Sequence, residues 1–253
     1  MMGVALVLGM SGFSHAADAT KVSEPLVFKT DDGRTLNYRL LKPKEYDPQK
    51  KYPLVLFFHG AGERGDDNVA QLVHGMNDCA NDENREKYPC FVVAPQCPEG
   101  KRWVEVDWTE DAHDFDEKPS VTMQLVIELL EKLPLEYSID RSRLYVTGLS
   151  MGGFATWDMI SRYPGKFAAA APVCGGADLK LAPKLVKVPI WTFHGDKDAV
   201  VKLHRTVDMV EAVTKAGGKP LYTEYAGVGH DSWVRAYSDP KLTEWMFAQK
   251  LAK

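Results

Sequence analysis

The residues best suited to do chemistry lie in Gly148-Leu149-Ser150-Met151-Gly152-Gly153, where glycines stand two positions either side of a serine. Before this segment, Arg143-Leu144-Tyr145-Val146-Thr147 reads as a strand; after it, Phe154 to Arg162 reads as a helix stopped near Pro164. A serine at the apex of such a strand-turn-helix takes a strained backbone that exposes its hydroxyl, and Gly148 and Gly152 leave the room that a Cβ would fill. The chemistry implied is nucleophilic acyl transfer, with the backbone N–H of Met151, near the helix N-terminus, facing a developing oxyanion. The plainer reading, a glycine-rich turn with a capping serine, loses weight once strand and helix flank the motif.

A serine hydroxyl is a weak nucleophile at neutral pH and needs a base, itself held in the right tautomer by an acid. Seven histidines compete: His15, His59, His74, His113, His194, His204 and His230. His230 stands in a loop after the last strand, in Gly227-Val228-Gly229-His230, whereas His204 falls on a helix face and is expected to be solvated. His230 is therefore the expected base. For the acid, the run Gly195-Asp196-Lys197-Asp198 after a strand offers two aspartates. Asp198 lies further past the strand end and can reach His230, while Asp196 reads as a turn residue bonding backbone N–H groups. A second oxyanion donor is expected at Ala61, in the turn His59-Gly60-Ala61-Gly62-Glu63-Arg64-Gly65, with His59 a structural histidine beneath it. No Gly-Lys-Ser/Thr ending follows these glycines, so a phosphate loop is a weak reading.

These side chains need elements to hold them. Short β-rich runs fall at 25–30, 35–41, 53–58, 90–95, 143–147, 168–173, 189–194 and 219–225. Runs such as Leu54-Val55-Leu56-Phe57-Phe58 are apolar without alternation, as strands buried on both faces of a parallel sheet must be. Leu125, Val126, Leu129, Leu130 and Leu133 form one helical stripe, and Leu203, Val207, Val210 and Val213 another. The expected architecture is α/β: a single domain over residues 17–253 with an eight-stranded, mostly parallel sheet, two antiparallel strands at its front, and helices on both faces. Ligands bind such sheets beyond the carboxyl ends of the strands.

Taken together, Phe58-His59-Gly60-Ala61-Gly62-Glu63-Arg64-Gly65, Ala94-Pro95-Gln96-Cys97-Pro98, the Ser150 segment, Pro172-Val173-Cys174-Gly175-Gly176, His194-Gly195-Asp196-Lys197-Asp198 and Gly229-His230 resemble the α/β-hydrolases. Within them the likeness is to the phospholipase/carboxylesterase and dienelactone-hydrolase-like esterases, which overlap prolyl-oligopeptidase-like and polyhydroxybutyrate-depolymerase-like proteins. The resemblance spans about residues 25–250. It implies the α/β-hydrolase fold, the chain order Ser150, Asp198, His230, and a carboxylic ester hydrolase with no metal and no cofactor. Distant members use a cysteine nucleophile; this chain has serine. Larger members carry an N-terminal immunoglobulin-like or propeller domain; none is read here, which weighs against a peptidase. A noncatalytic binding protein on the same scaffold is the alternative from a different class.

Trp103 and Trp108 lie in the long insertion at 96–118 and are expected either to line an acyl or aromatic-alcohol pocket or to pack the loop. The acids Glu105, Asp107, Glu110, Asp111, Asp114, Asp116 and Glu117 suggest a solvated acidic loop ahead of a cation site. With no long lid, short or bulky esters, including acetyl or feruloyl groups on plant-wall polymers, fit better than long lipids. The partner expected is thus a small-molecule or polymer-borne ester substrate.

A formal charge of −4 over 253 residues provides no basic field for nucleic acid. Val4-Ala5-Leu6-Val7-Leu8 followed by Ser14-His15-Ala16 reads as a signal peptide over residues 1–16, with no Lys or Arg before the apolar run. The run is too short for a stable membrane anchor, and a secreted or periplasmic protein is expected. Four cysteines suit such a compartment: a Cys79–Cys90 disulfide is one expectation, and Cys97 and Cys174 a lesser pair or free thiols.

Overall fold

Apolar runs without alternation become central strands here. In Tyr52–Phe58 (β3) every residue is buried, and the same holds for Phe91–Pro95 (β4) and Ala169–Val173 (β6). Successive side chains in β3 point to opposite faces, so Leu54, Leu56 and Phe58 join one core while Val55 and Phe57 join the other. The computed structural model describes residues 18–252; the expected signal peptide lies outside them.

The remaining strands are Ser23–Lys29 (β1), Thr35–Leu41 (β2), Ile139–Leu149 (β5), Trp191–Gly195 (β7) and Leu221–Tyr225 (β8). One eight-stranded sheet results, in the order β1-β2-β4-β3-β5-β6-β7-β8. β1 and β2 pair antiparallel, as does β2 with β4; every pairing from β4 through to β8 is parallel. The fold class expected from sequence is the one observed. β5 runs longer than its apolar heart because Ile139 pairs with Tyr52 before a register shift restores the Leu54–Leu144 pairing.

Helices cover both faces. Val121–Glu136 (α4), Met151–Arg162 (α5) and His204–Lys215 (α6) bury Leu125, Leu129, Phe154, Trp157, Met209 and Val213 against one face. Ala19–Val22 (α1), Met76–Ala80 (α2), Trp233–Ser238 (α7) and Pro240–Ala248 (α8) bury Ala19, Met76, Ala236 and Met246 against the other, with the short Asp82–Lys87 (α3) outside them. α4 starts where Ser120 accepts the Met123 N–H, an N-cap that fixes its first turn at the carboxyl edge of the sheet. Because β3, β5, β6, β7 and β8 run parallel, the turns that follow them gather on that same edge.

Candidate active site

The turn after β5 holds a residue in a strained conformation. Ser150 has φ 55° and ψ −120°, a conformation that costs an L-residue about 1–3 kcal/mol and persists only where neighbours enforce it. They do: Ser150 N–H donates to the Val173 carbonyl at 3.0 Å, while Gly153 and Phe154 donate to the Ser150 carbonyl. A Cβ on Gly152 would stand 2.1 Å from the Phe58 carbonyl oxygen, and one on Gly148 2.4 Å from that of Gly152. The two glycines therefore let the elbow press against β3.

The hydroxyl so presented meets an imidazole. His230 Nε2 lies 2.8 Å from Ser150 Oγ, and His230 Nδ1 lies 2.7 Å from Asp198 Oδ2. Asp198 is enclosed, its side chain 0% exposed, and its Oδ1 accepts the N–H groups of Val200 and Val201 at 2.9 Å each. Burial alone would raise its carboxyl, but hydrogen bonds from His194, His230 and those two amides outweigh it and hold the group well below the usual carboxylate range. Asp196 turns the other way and accepts the Gly227 N–H at 2.7 Å, which pins the loop leading to His230. The loop also passes close under β7, since a Cβ on Gly195 would meet the Val228 carbonyl oxygen at 2.3 Å.

Both oxyanion donors anticipated from sequence stand at the first position of a helical turn. Met151 opens α5, and Ala61 opens the short 3₁₀ turn Ala61–Glu63 after β3. First-turn N–H groups have no partner within their own helix, so they remain open to an anion. The Ala61 turn sits against the elbow: a Cβ on Gly60 would be 3.5 Å from Ser150 Cβ and 2.9 Å from Leu149 Cδ1.

His59 and Trp103 support that turn from beneath. The buried His59 donates from Nδ1 to the Gly60 carbonyl and accepts the Cys97 N–H at Nε2, and burial pushes its pKa down to about 4. Trp103 is fully buried, packs its ring against Phe58 and His59, and donates its indole N–H to the His59 carbonyl at 3.1 Å. This corrects the expectation of a pocket-lining tryptophan: Trp103 has no surface to give a substrate, because its N–H is needed to satisfy a buried carbonyl. Trp108 is half-buried with the Arg102 guanidinium 4.5 Å from its ring centre, which packs the insertion.

Two of the insertion's acids, Asp111 and Asp114, take cationic partners, and the backbone of others accepts from arginines. Asp111 pairs with Lys202 and His204, Asp114 pairs with Lys180, and the carbonyls of Asp116 and Glu117 accept from Arg162. Arg205, buried under the loop, donates to the Glu110 carbonyl and to His113. These contacts fasten the loop to α5, α6 and the 3₁₀ segment Leu179–Leu185.

Two features were not anticipated. His194, in β7, lies fully buried with Nε2 3.2 Å from Asp198 Oδ2 and Nδ1 2.8 Å from Thr206 Oγ1, so the acid rests on a second imidazole. In the sequence it stands as a strand residue of the core, four positions before Asp198, with no local pattern that marks the contact. The second concerns the thiols: Cys79, Cys90, Cys97 and Cys174 are all free, so the expected Cys79–Cys90 bridge is not formed. Burial pushes the Cys79 thiol up to about 12.

Comparison with known proteins identifies the family. Residues 45–241 match the model of the phospholipase/carboxylesterase family, which spans most of the chain. The chain belongs to the phospholipase/carboxylesterase family. A solved thermostable esterase superposes on this family member with a TM-score of 0.85 at 39% identity, covering 91% of the chain and 64% of that structure. A bifunctional acetylxylan esterase/xylanase of Neocallimastix patriciarum is 29% identical over 69% of the chain and 23% of its own length. A poly(3-hydroxyalkanoate) depolymerase C of Paucimonas lemoignei is 30% identical over 68% of the chain and 37% of its own length. The carboxylesterase-family chain thus spans 23% and 37% of the length of these two curated relatives. Among its described residues, no helix is long and apolar enough to cross a membrane.

Proposed function

We propose that this protein is a serine carboxylic ester hydrolase that acts through an acyl-enzyme, on short-chain esters or on aromatic and carbohydrate acyl esters. The observation carrying the reading is the continuous path Asp198–His230–Ser150, with contacts of 2.7 and 2.8 Å. Asp198, ionised at neutral pH, accepts the His230 Nδ1–H, which leaves Nε2 free to take the Ser150 proton. Ser150 Oγ then attacks the ester carbonyl, and the Met151 and Ala61 N–H groups hold the oxyanion, each such donor commonly worth about 3 kcal/mol of barrier. His230 returns the proton to the departing alcohol. Water enters with His230 again as base, and the acid leaves from Ser150. No step calls on a metal or cofactor.

Esterase and depolymerase relatives support the ester over other acyl compounds. The side chain of His230 is 21% exposed, which favours a site reached directly from solvent and hence short or polymer-borne esters. Export forms part of the reading and rests on the apolar Val4–Leu8 run and the Ser14-His15-Ala16 ending.

Ser150→Ala tests the assignment. Hydrolysis of p-nitrophenyl acetate should vanish while the circular dichroism spectrum and Tm stay those of the parent. Retained hydrolysis would exclude Ser150 as nucleophile, and a parent protein that cleaves a proline-containing anilide faster than the aryl ester would turn the reading toward a peptidase.

A further inference from the structure

Beside the triad, a row of side chains that the mechanism above does not use runs from the oxyanion turn to the base. Glu63 ends the Ala61–Glu63 turn, and its carboxylate folds back beneath Gly60: a Cβ there would stand 3.0 Å from Glu63 Oε2 and 3.5 Å from Ser150 Cβ. Glu63 Oε1 faces His74 Nε2 at 3.7 Å, with the two side chains 14% and 36% exposed. The His74 ring lies 5.4 Å from that of Trp233, and Trp233 stands perpendicular to the His230 ring at 5.3 Å. Glu63, His74 and Trp233 therefore border the nucleophile and the base together.

Two atoms in this row are buried without partners: the acceptor Glu63 Oε2 and the donor Trp233 Nε1. Buried polar atoms are normally satisfied, and each orphan is costly, so a pair of opposite character flanking a catalytic serine calls for a ligand. The chemistry of that ligand is constrained. An ammonium group would satisfy the carboxylate and leave the indole N–H empty; a carbonyl would do the reverse; a carboxylate would be repelled by Glu63. A polyol carries hydroxyls that donate and oxygens that accept at neighbouring positions, and so offers each atom its own partner.

We propose that Glu63, His74 and Trp233 form a subsite for hydroxyl groups of the substrate's alcohol, making the preferred ester that of a polyol such as a sugar ring. Glu63 accepts from a ring hydroxyl, Trp233 Nε1 donates to a ring oxygen, and His74 fixes the carboxylate between them. The inference rests on the ester-hydrolase reading above and selects, among the esters that reading names, those of a carbohydrate alcohol.

The test compares kcat/KM for a monoacetylated methyl pyranoside and for cyclohexyl acetate, which has a ring of equal size without hydroxyls, with p-nitrophenyl acetate as the reference ester. The parent should favour the sugar ester over cyclohexyl acetate by about tenfold or more, the worth of a hydrogen bond to a charged group. Glu63→Gln and Trp233→Phe should each pull that ratio toward one. The ratio is the readout because a disturbed fold or oxyanion turn slows both esters alike. Equal turnover of the two ring esters by a parent that hydrolyses p-nitrophenyl acetate overturns the subsite and leaves the ester hydrolase standing, as does a ratio that both variants preserve. Inactivity of the parent on all three esters overturns both.

Discussion

Replacing Asp198 by Asn asks how much of the site depends on one buried charge. The carboxylate oxygen Oδ1 accepts from Val200 and Val201, and an amide oxygen in that position keeps both bonds, so the loop retains its shape. The change falls on the other atom. Oδ2 takes the His230 Nδ1–H at 2.7 Å and stands 3.2 Å from His194 Nε2; an amide NH₂ there turns an acceptor into a donor. His230 must then accept at Nδ1 and carry its proton on Nε2, pointing at Ser150 Oγ, where it cannot act as base. Loss of the correct tautomer costs about 10⁴ in kcat in the serine-protease triad, and the same hydrogen-bond logic gives Asp198→Asn a similar loss, ~5 kcal/mol of barrier. Folding carries a second signature. The Asp198 carboxyl is held well below the usual carboxylate range in the folded chain, so the folded state binds fewer protons there than the unfolded one. Its stabilisation is complete above the ordinary carboxylate value of about 4 and drains away as pH falls below that value toward the folded pKa. Stopped assays on p-nitrophenyl acetate, paired with urea unfolding at pH 7 and pH 3, measure both. Activity within about tenfold of the parent, or an unchanged acid dependence of stability, would refute the assignment of Asp198 as the orienting acid.

Further outcomes follow from the packing. Gly152→Ala should destabilise the fold by more than the usual ~1–3 kcal/mol of an overpacked core site, since the new methyl meets the Phe58 carbonyl at 2.1 Å; a urea midpoint within error of the parent would contradict the close approach. Trp103→Ala should cost about 3–5 kcal/mol and lower kcat through the loosened Ala61 turn, whereas a pocket-wall role would raise KM with stability intact. Thiol titration in denaturant without reductant should count four free cysteines, with Cys97 and Cys174 unreactive in the native protein; a count of two would restore the disulfide.

Much of this was legible in the chain. The eight strands stood out because β3, β4 and β6 are apolar on both faces, and the positions of Ser150, Asp198 and His230 followed from which turns trail which strands. Tertiary contacts without a period were not legible. Trp103 and Trp108 sit in an insertion whose folding depends on single partners, the His59 carbonyl for one and Arg102 for the other, and no local pattern distinguishes an aromatic that props a turn from one that lines a pocket. His194 was hidden for another reason: as a strand residue it reads as core, and only the fold of 195–201 brings Asp198 back over it. The choice between Asp196 and Asp198 needed only the distance past the strand end, and the structure sends the first to Gly227 and the second to His230.

A nucleophilic Ser150 can be trapped as a covalent adduct. Incubation with a fluorophosphonate followed by tryptic mass spectrometry should place one adduct on the peptide carrying Ser150 and none on the Ser150→Ala protein. An adduct on another residue, or the same labelling in the variant, would contradict Ser150 as the nucleophile.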